Sequence, residues 1–243
     1  MNAGTATAGA STAPGDVPAG AAADTAIGVF DSGVGGLTVL RALRTAMPAE
    51  HFVYLGDTAR LPYGTKSRET VERYAVQASA ALVARDVKLV VVACNTASVS
   101  LPALQAALAP LPVIGVIEPG AQAAVKAAPN GPIAVIATEG TVRGGAYERA
   151  IHARVPNIDI FQQACPLFVP LTEEGLTNGA IVDAVAERYL APLMKRAHPR
   201  ALLLGCTHYP VLRDAIAHIA GDVTRVDSAQ TTAAAVAKLL DEM

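Results

Sequence analysis

From residue 27 onward, short hydrophobic runs alternate with longer stretches of mixed polarity. Eight runs read as strands: 27–30, 52–55, 89–93, 113–117, 133–137, 158–162, 201–206 and 223–226. Most are rich in Val, Ile or Leu without a polar face, the pattern of parallel strands covered on both sides. Helices are predicted between them. The segment 67–86 opens with Ser67 and carries Glu69 and Thr70 in its first turn, a good N-terminus. Segments 141–154, 173–197 and 231–240 predict further helices. Repeated β–α units predict α/β layers with right-handed crossovers. Eight strands would also suit a closed barrel. The irregular spacing, and a coarse twofold echo between two cysteine-bearing segments, favour two open parallel sheets facing each other. The expected division is a first α/β domain from 27–97 plus 208–243 and a second from 98–207.

Composition narrows the function. The 243 residues are 52% hydrophobic and 16% charged, below the roughly 25% charged of an average globular chain. No apolar run approaches the ~18 residues of a membrane span. A net charge of −2 gives no electrostatic case for nucleic acid or an anionic membrane. With 4% aromatics and no Trp, a base-stacking platform is not expected. Three widely spaced cysteines are not a disulfide scaffold and fit a reducing cytoplasm. Residues 1–26 are mostly Ala, Gly, Thr, Ser and Pro, and the first basic residue of the chain is Arg41. Signal and transit peptides need basic residues earlier, so this stretch is predicted to be a disordered tail.

Candidate chemistry sits at strand ends. The run Val90-Val91-Val92-Ala93 leads into Cys94-Asn95-Thr96, and Leu202-Leu203-Leu204-Gly205 leads into Cys206-Thr207-His208. Ligands of open α/β sheets bind beyond the carboxyl ends of the strands. Thiols at equivalent places in two halves suggest two-sided chemistry on one substrate, and a helix N-terminus there should lower the thiol pKa. Cys165 reads as an inert small hydrophobe. The loop Asp31-Ser32-Gly33-Val34-Gly35-Gly36 can bring backbone N–H groups to an anion, although Asp31 also reads as a simple helix cap. It is not a dinucleotide fingerprint, which would need Gly at Thr38. The loops Gly56-Asp57-Thr58, Pro62-Tyr63-Gly64-Thr65 and Thr138-Glu139-Gly140-Thr141 add turns and hydroxyls suited to a small carboxylated molecule. Zinc is a weak rival, because there is no C-x-x-C and Cys206 and His208 are only two apart. A redox disulfide would need the two thiols close together. A Ser/His/Asp triad lacks the G-x-S-x-G elbow.

Several long stretches carry a family resemblance: 27–38, 54–64, 93–97, 136–141, 164–171 with Glu173, 205–210 and 226–229. Together they resemble the cofactor-independent aspartate/glutamate racemase family. The resemblance implies two pseudosymmetric α/β domains enclosing the substrate. It also implies two-base racemisation of glutamate with neither cofactor nor metal. Cys94 and Cys206 would be the two acid/bases, so the rate should be bell-shaped in pH. Asp31 would assist Cys94. His208 and a nearby glutamate would assist Cys206, with the motif favouring Glu173 over Glu174. Substrate contacts would fall on Asp31, Ser32, Tyr63, Gly64, Asn95, Thr96, Thr207 and His208, with Thr138 and Thr141 as secondary candidates. The implied setting is cytoplasmic supply of D-glutamate for peptidoglycan, with glutamate as the small-molecule substrate, no nucleic acid or membrane partner, and a homodimer among the assembly expectations. Three departures from the family are visible. Relatives usually continue with a further strand and helix where this chain reaches Met243, which should leave apolar surface exposed, and Ala229 and Thr172 replace the usual Gly and aliphatic residue. The alternatives are therefore an aspartate or other amino-acid racemase, or a catalytically impaired amino-acid-binding protein.

Overall fold

The computed structural model describes residues 25–243, so the tail expected at the N-terminus lies outside the described residues up to 24. Two four-stranded sheets, parallel throughout, form the frame. The first contains β1 (Ile27–Asp31), β2 (Phe52–Gly56), β3 (Leu89–Val92) and β4 (Val113–Gly115), in the order β2-β1-β3-β4. The second contains β5 (Ile133–Ala137), β6 (Ile160–Ala164), β7 (Ala201–Gly205) and β8 (Thr224–Asp227), in the order β6-β5-β7-β8. The second order repeats the first strand for strand. Cys94 and Cys206 therefore follow β3 and β7, the equivalent strands of the two sheets.

The helices are α1 (Leu37–Ala46), α2 (Arg68–Val83), α3 (Asn95–Ser98), α4 (Leu101–Leu108), α5 (Ile117–Ala127), α6 (Glu139–Gly144), α7 (Ala146–His152), α8 (Phe168–Glu173), α9 (Ala180–Ala197), α10 (Arg213–Ala220) and α11 (Ser228–Asp241). They cover both faces of each sheet, which is why the strands carry no polar face. In β5, Ile133 and Val135 pack toward α5 and α7, whereas Ala134 and Ile136 pack toward α9 and α10. In the first sheet, Phe30, Val90 and Val92 meet α2 and α4, and Val29, Leu89 and Val91 meet α1 and α11. Each such Val, Leu or Ile contributes roughly 1.5–3 kcal/mol by leaving water.

The division at 98–207 is corrected by strand pairing. β4 falls inside that range but pairs with β3 of the first sheet, Val90 opposite Val113. β8 falls outside it but pairs with β7, Ala201 opposite Thr224. Each lobe recruits its fourth strand from beyond its cysteine, and α11 then returns to pack on α1 of the first lobe. Two expected helices are also broken. Gly145, at φ +60°, separates α6 from α7, and Gly175 and Gly179, at +74° and +91°, lie between α8 and α9. Ser67 caps α2 as predicted, accepting from the Thr70 N–H. The last helix begins at Ser228, capped by Asp227, whose Oδ1 accepts the Ala229 N–H at 2.7 Å.

Candidate active site

The carboxyl ends of the two sheets face one pocket of about 370 Å³, inside the roughly 300–1,000 Å³ typical of small-molecule sites. Ser32, Tyr63, Gly64, Cys94, Asn95 and Thr96 line it from the first lobe, and Thr138, Glu173, Glu174, Cys206, Thr207 and His208 from the second. Leu61, Pro62, Pro166, Val169 and Pro170 make its apolar wall.

Cys94 leaves β3 in an extended conformation and caps α3, its Sγ accepting the Ala97 N–H at 3.4 Å. The thiol also lies 3.5 Å from Ser32 Oγ as donor. Asp31, at the end of β1, is fully buried. Its Oδ2 accepts the Gly33 N–H at 2.9 Å, while Oδ1 has no partner. Cys206 Sγ lies 3.7 Å from His208 Nδ1, and His208 Nε2 lies 2.6 Å from Glu173 Oε1. This is a thiol–imidazole–carboxylate chain, and Glu173 rather than Glu174 is its third member. Gly35 makes the chain's packing feasible, since a Cβ there would sit 2.5 Å from the His208 ring.

A second seam joins the lobes on the Tyr63 side. The Gly140 N–H donates to Gly64 O at 2.7 Å. The Thr96, Thr138 and Thr141 hydroxyls form a triangle with edges of 2.9, 3.3 and 3.0 Å. Thr138 lines the pocket, whereas Thr141 and Asp31 stand behind its wall. The Tyr63 ring reaches the pocket, but its hydroxyl donates to Asp57 Oδ2. Asp57, which also holds Arg60 Nε at 2.6 Å, was not singled out in the sequence. Its only signal was a turn motif. Tyr147, an unmarked helical aromatic, binds Asn95 from beneath.

The expected thiol acidity is reversed by burial. Burial pushes Cys94 up to about 11, with the nearby Asp31 adding to the rise, and bonds from Ser32 and Ala97 only partly offset this. Burial also pushes Cys206 up, against a lowering contribution from the His208 backbone. Asp31 is raised by burial as well, partly offset by the Gly33 N–H and the His208 charge. The helix end does favour the Cys94 thiolate, but desolvation outweighs it. All three cysteines are free thiols. Among the described residues, no group of three or more His, Cys, Asp or Glu is placed to hold a metal, and no helix is long and apolar enough to cross a membrane.

Residues 27–236 match the profile of the Asp/Glu/hydantoin racemases. The chain is 52% identical over 217 residues to the glutamate racemase of Geobacter metallireducens, covering 88% of this chain and 80% of that protein. Its fold is similar to the glutamate racemase of Francisella tularensis solved with D-glutamate, with 40% identity and a TM-score of 0.85 over 90% of this chain and 82% of that one. A Bacillus anthracis glutamate racemase is as close, with 41% identity and a TM-score of 0.86 over 90% and 82% of the two chains.

Proposed function

Because the chain belongs to the Asp/Glu/hydantoin racemase family, we propose that it interconverts L- and D-glutamate, with Cys94 and Cys206 as the two acid/bases. The carrying observation is topological. Two free thiols end equivalent strands of two sheets with the same order, and both line one pocket. Substrate held between them offers one face of its α-carbon to each thiol.

The reaction needs one thiolate and one thiol. On the second-lobe side, His208 takes the Cys206 proton at Nδ1 while its Nε2–H donates to Glu173, which steadies the resulting imidazolium. On the first-lobe side, Asp31 supplies negative charge near Cys94, whose thiol donates to Ser32 Oγ and whose sulfur accepts from the Ala97 N–H. The cationic ammonium of an entering amino acid favours both anions, offsetting the burial that disfavours them. In one direction, the Cys206 thiolate removes the α-proton. The Cα–H bond breaks, an S–H bond forms, and the electron pair stays on the substrate, delocalised into its carboxylate. The Cys94 S–H then delivers its proton to the opposite face. Cys94 ends as thiolate and Cys206 as thiol, so the reverse reaction starts from that state. Hydroxyls of Thr96, Thr138 and Thr207 line the pocket and are available to the substrate's carboxylates. The family membership supports the product reading, D-glutamate made in the cytoplasm for wall peptides.

The test is circular dichroism of L- and then D-glutamate with purified protein and no added cofactor, with L-aspartate as control. Decay of the glutamate signal from both sides is expected. Decay with aspartate alone would reassign the substrate, and binding without decay would leave an amino-acid-binding protein. Cys94→Ser and Cys206→Ser should each lower the rate more than ~10³-fold with folding preserved, and Cys165→Ser should be far milder.

A further inference from the structure

Tyr147 belongs to none of the motifs above, yet it touches both cysteine segments. It is fully buried on α7 of the second lobe. Its Oη accepts a hydrogen bond from Asn95 Nδ2 at 2.7 Å, across the lobe boundary. Its ring occupies the space left by two glycines. A Cβ at Gly205 would lie 2.9 Å from Tyr147 Cε2, and one at Gly120 would lie 3.3 Å from Cε1. Asn95 follows Cys94 and Gly205 precedes Cys206. One rigid side chain thus rests against the Cys206 strand and holds the amide next to Cys94.

The consequence lies in the other half of that amide. Asn95 lines the pocket, yet its buried Oδ1 has no hydrogen-bond partner. A buried amide oxygen left unpaired is costly and uncommon, so a donor is expected to meet it when the pocket fills. An amino acid's carboxylates only accept hydrogen bonds, whereas its ammonium group brings three donors. We infer that Tyr147 is a positioning residue that locks the Asn95 amide so that Oδ1 accepts a hydrogen bond from the substrate's α-ammonium group. The inference rests on the reading of this pocket as an amino-acid racemase site. Without the Tyr147 hydroxyl, the amide is free to turn over and present its N–H groups to the ammonium, exchanging attraction for repulsion. Burial pushes the Tyr147 phenol far above its ordinary pKa, so it stays neutral and available as an acceptor throughout the assay range.

The experiment compares two ligands on the full chain by calorimetry: L-glutamate, and glutarate, which keeps both carboxylates and lacks the ammonium. Tyr147→Phe is expected to weaken glutamate ~10-fold or more, the value of a hydrogen bond to a charged group, and to leave glutarate within about twofold. KM for glutamate should rise with its Kd, and kcat should change less. Asn95→Ala should reproduce the selective loss, and adding Tyr147→Phe to it should weaken glutamate no further. Should Tyr147→Phe fail to fold, Asn95→Ala alone tests the oxygen. Equal weakening of both ligands, as a mere spacer between strands would give, overturns the inference, and so does unchanged glutamate binding. Failure of the racemase reading looks different. A wild-type protein that binds glutamate without racemising it loses the reaction but keeps the ammonium contact, whereas one that binds neither ligand loses both.

Discussion

Replacing Glu173 with Gln removes one charge and almost no volume from the pocket wall. His208 Nε2 lies 2.6 Å from Glu173 Oε1, and the two side chains are 6% and 25% exposed. In the proposed mechanism His208 accepts the Cys206 proton, and this contact then becomes an ion pair. Two unit charges about 4 Å apart interact by ~1 kcal/mol in water and ~4 kcal/mol at an effective dielectric of 20. One nearly enclosed partner and one a quarter exposed place this pair between those limits, at about 2 kcal/mol, or ~30-fold in rate. The form of the loss is more restrictive than its size. L- and D-glutamate have equal free energy in water, so kcat/KM must be the same in both directions for the wild type and for every variant. The ~30-fold loss must therefore appear equally from L and from D, although Glu173 serves only one of the two thiols. Asymmetry is confined to kcat and KM taken separately. Progress curves by circular dichroism from each enantiomer measure all of these. A loss below about threefold in kcat/KM would refute the relay. A His208→Asn, Glu173→Gln double variant that loses the sum of the two single losses would also refute it, because members of one chain should not act independently.

Asp31 is fully buried with one oxygen unpartnered, and burial raises its pKa. Its stabilising contribution is thus present below the unfolded pKa of about 3.9 and lost as pH rises. Asp31→Asn should raise the Tm of the ligand-free protein at neutral pH while lowering kcat/KM by ~10²-fold or more, and a lowered Tm would sink the argument. The same sign applies to Cys94, whose pKa stands at about 11 when folded against roughly 8.5 when unfolded. Its contribution, at most about 3 kcal/mol, is complete below pH ~8.5 and disappears as pH rises through the folded value. Urea unfolding across that range should show the decline, and Cys94→Ala should flatten it. Gly64→Ala would put a Cβ 2.8 Å from Thr138 Cβ and strain the bond from the Gly140 N–H to Gly64 O. An increase in KM of ~10-fold is expected, and an unchanged KM would show that the seam does not shape the pocket.

What the sequence made legible follows from the range over which each effect acts. Strands buried on both faces announce themselves by composition, and all eight fall within a few residues of their expected places. The breaks at Gly145, Gly175 and Gly179 were not visible because amphipathic spacing runs through a glycine whether or not it adopts a left-handed backbone. The domain boundary failed for a different reason. Strand order is decided by pairing, and nothing local to residues 113–115 says that they return to β3. Thiol acidity shows both ranges at once. The stabilising N–H at Ala97 lies three residues from Cys94 and was readable, whereas the larger burial effect comes from the whole lobe and was not. Asp57 and Tyr147 were missed because each acts on pocket residues through a contact that no motif encodes.

The duplication of strand order also explains why the site is symmetric in one respect and not in another. Racemisation asks for proton acceptors on both faces of one carbon, a requirement on position. In the proposed mechanism the repeated β–α order meets it by placing a cysteine just after the third strand of each lobe. Nothing asks the acceptors to have the same neighbours. Cys94 is flanked by Asp31, Ser32 and a helix cap, and Cys206 by the His208–Glu173 pair. With equal product stabilities, a difference in how the two thiols are activated can alter kcat and KM for each enantiomer separately, never the balance between them. The two sets of neighbours were therefore free to diverge, provided that together they keep one thiol and one thiolate facing the same α-carbon.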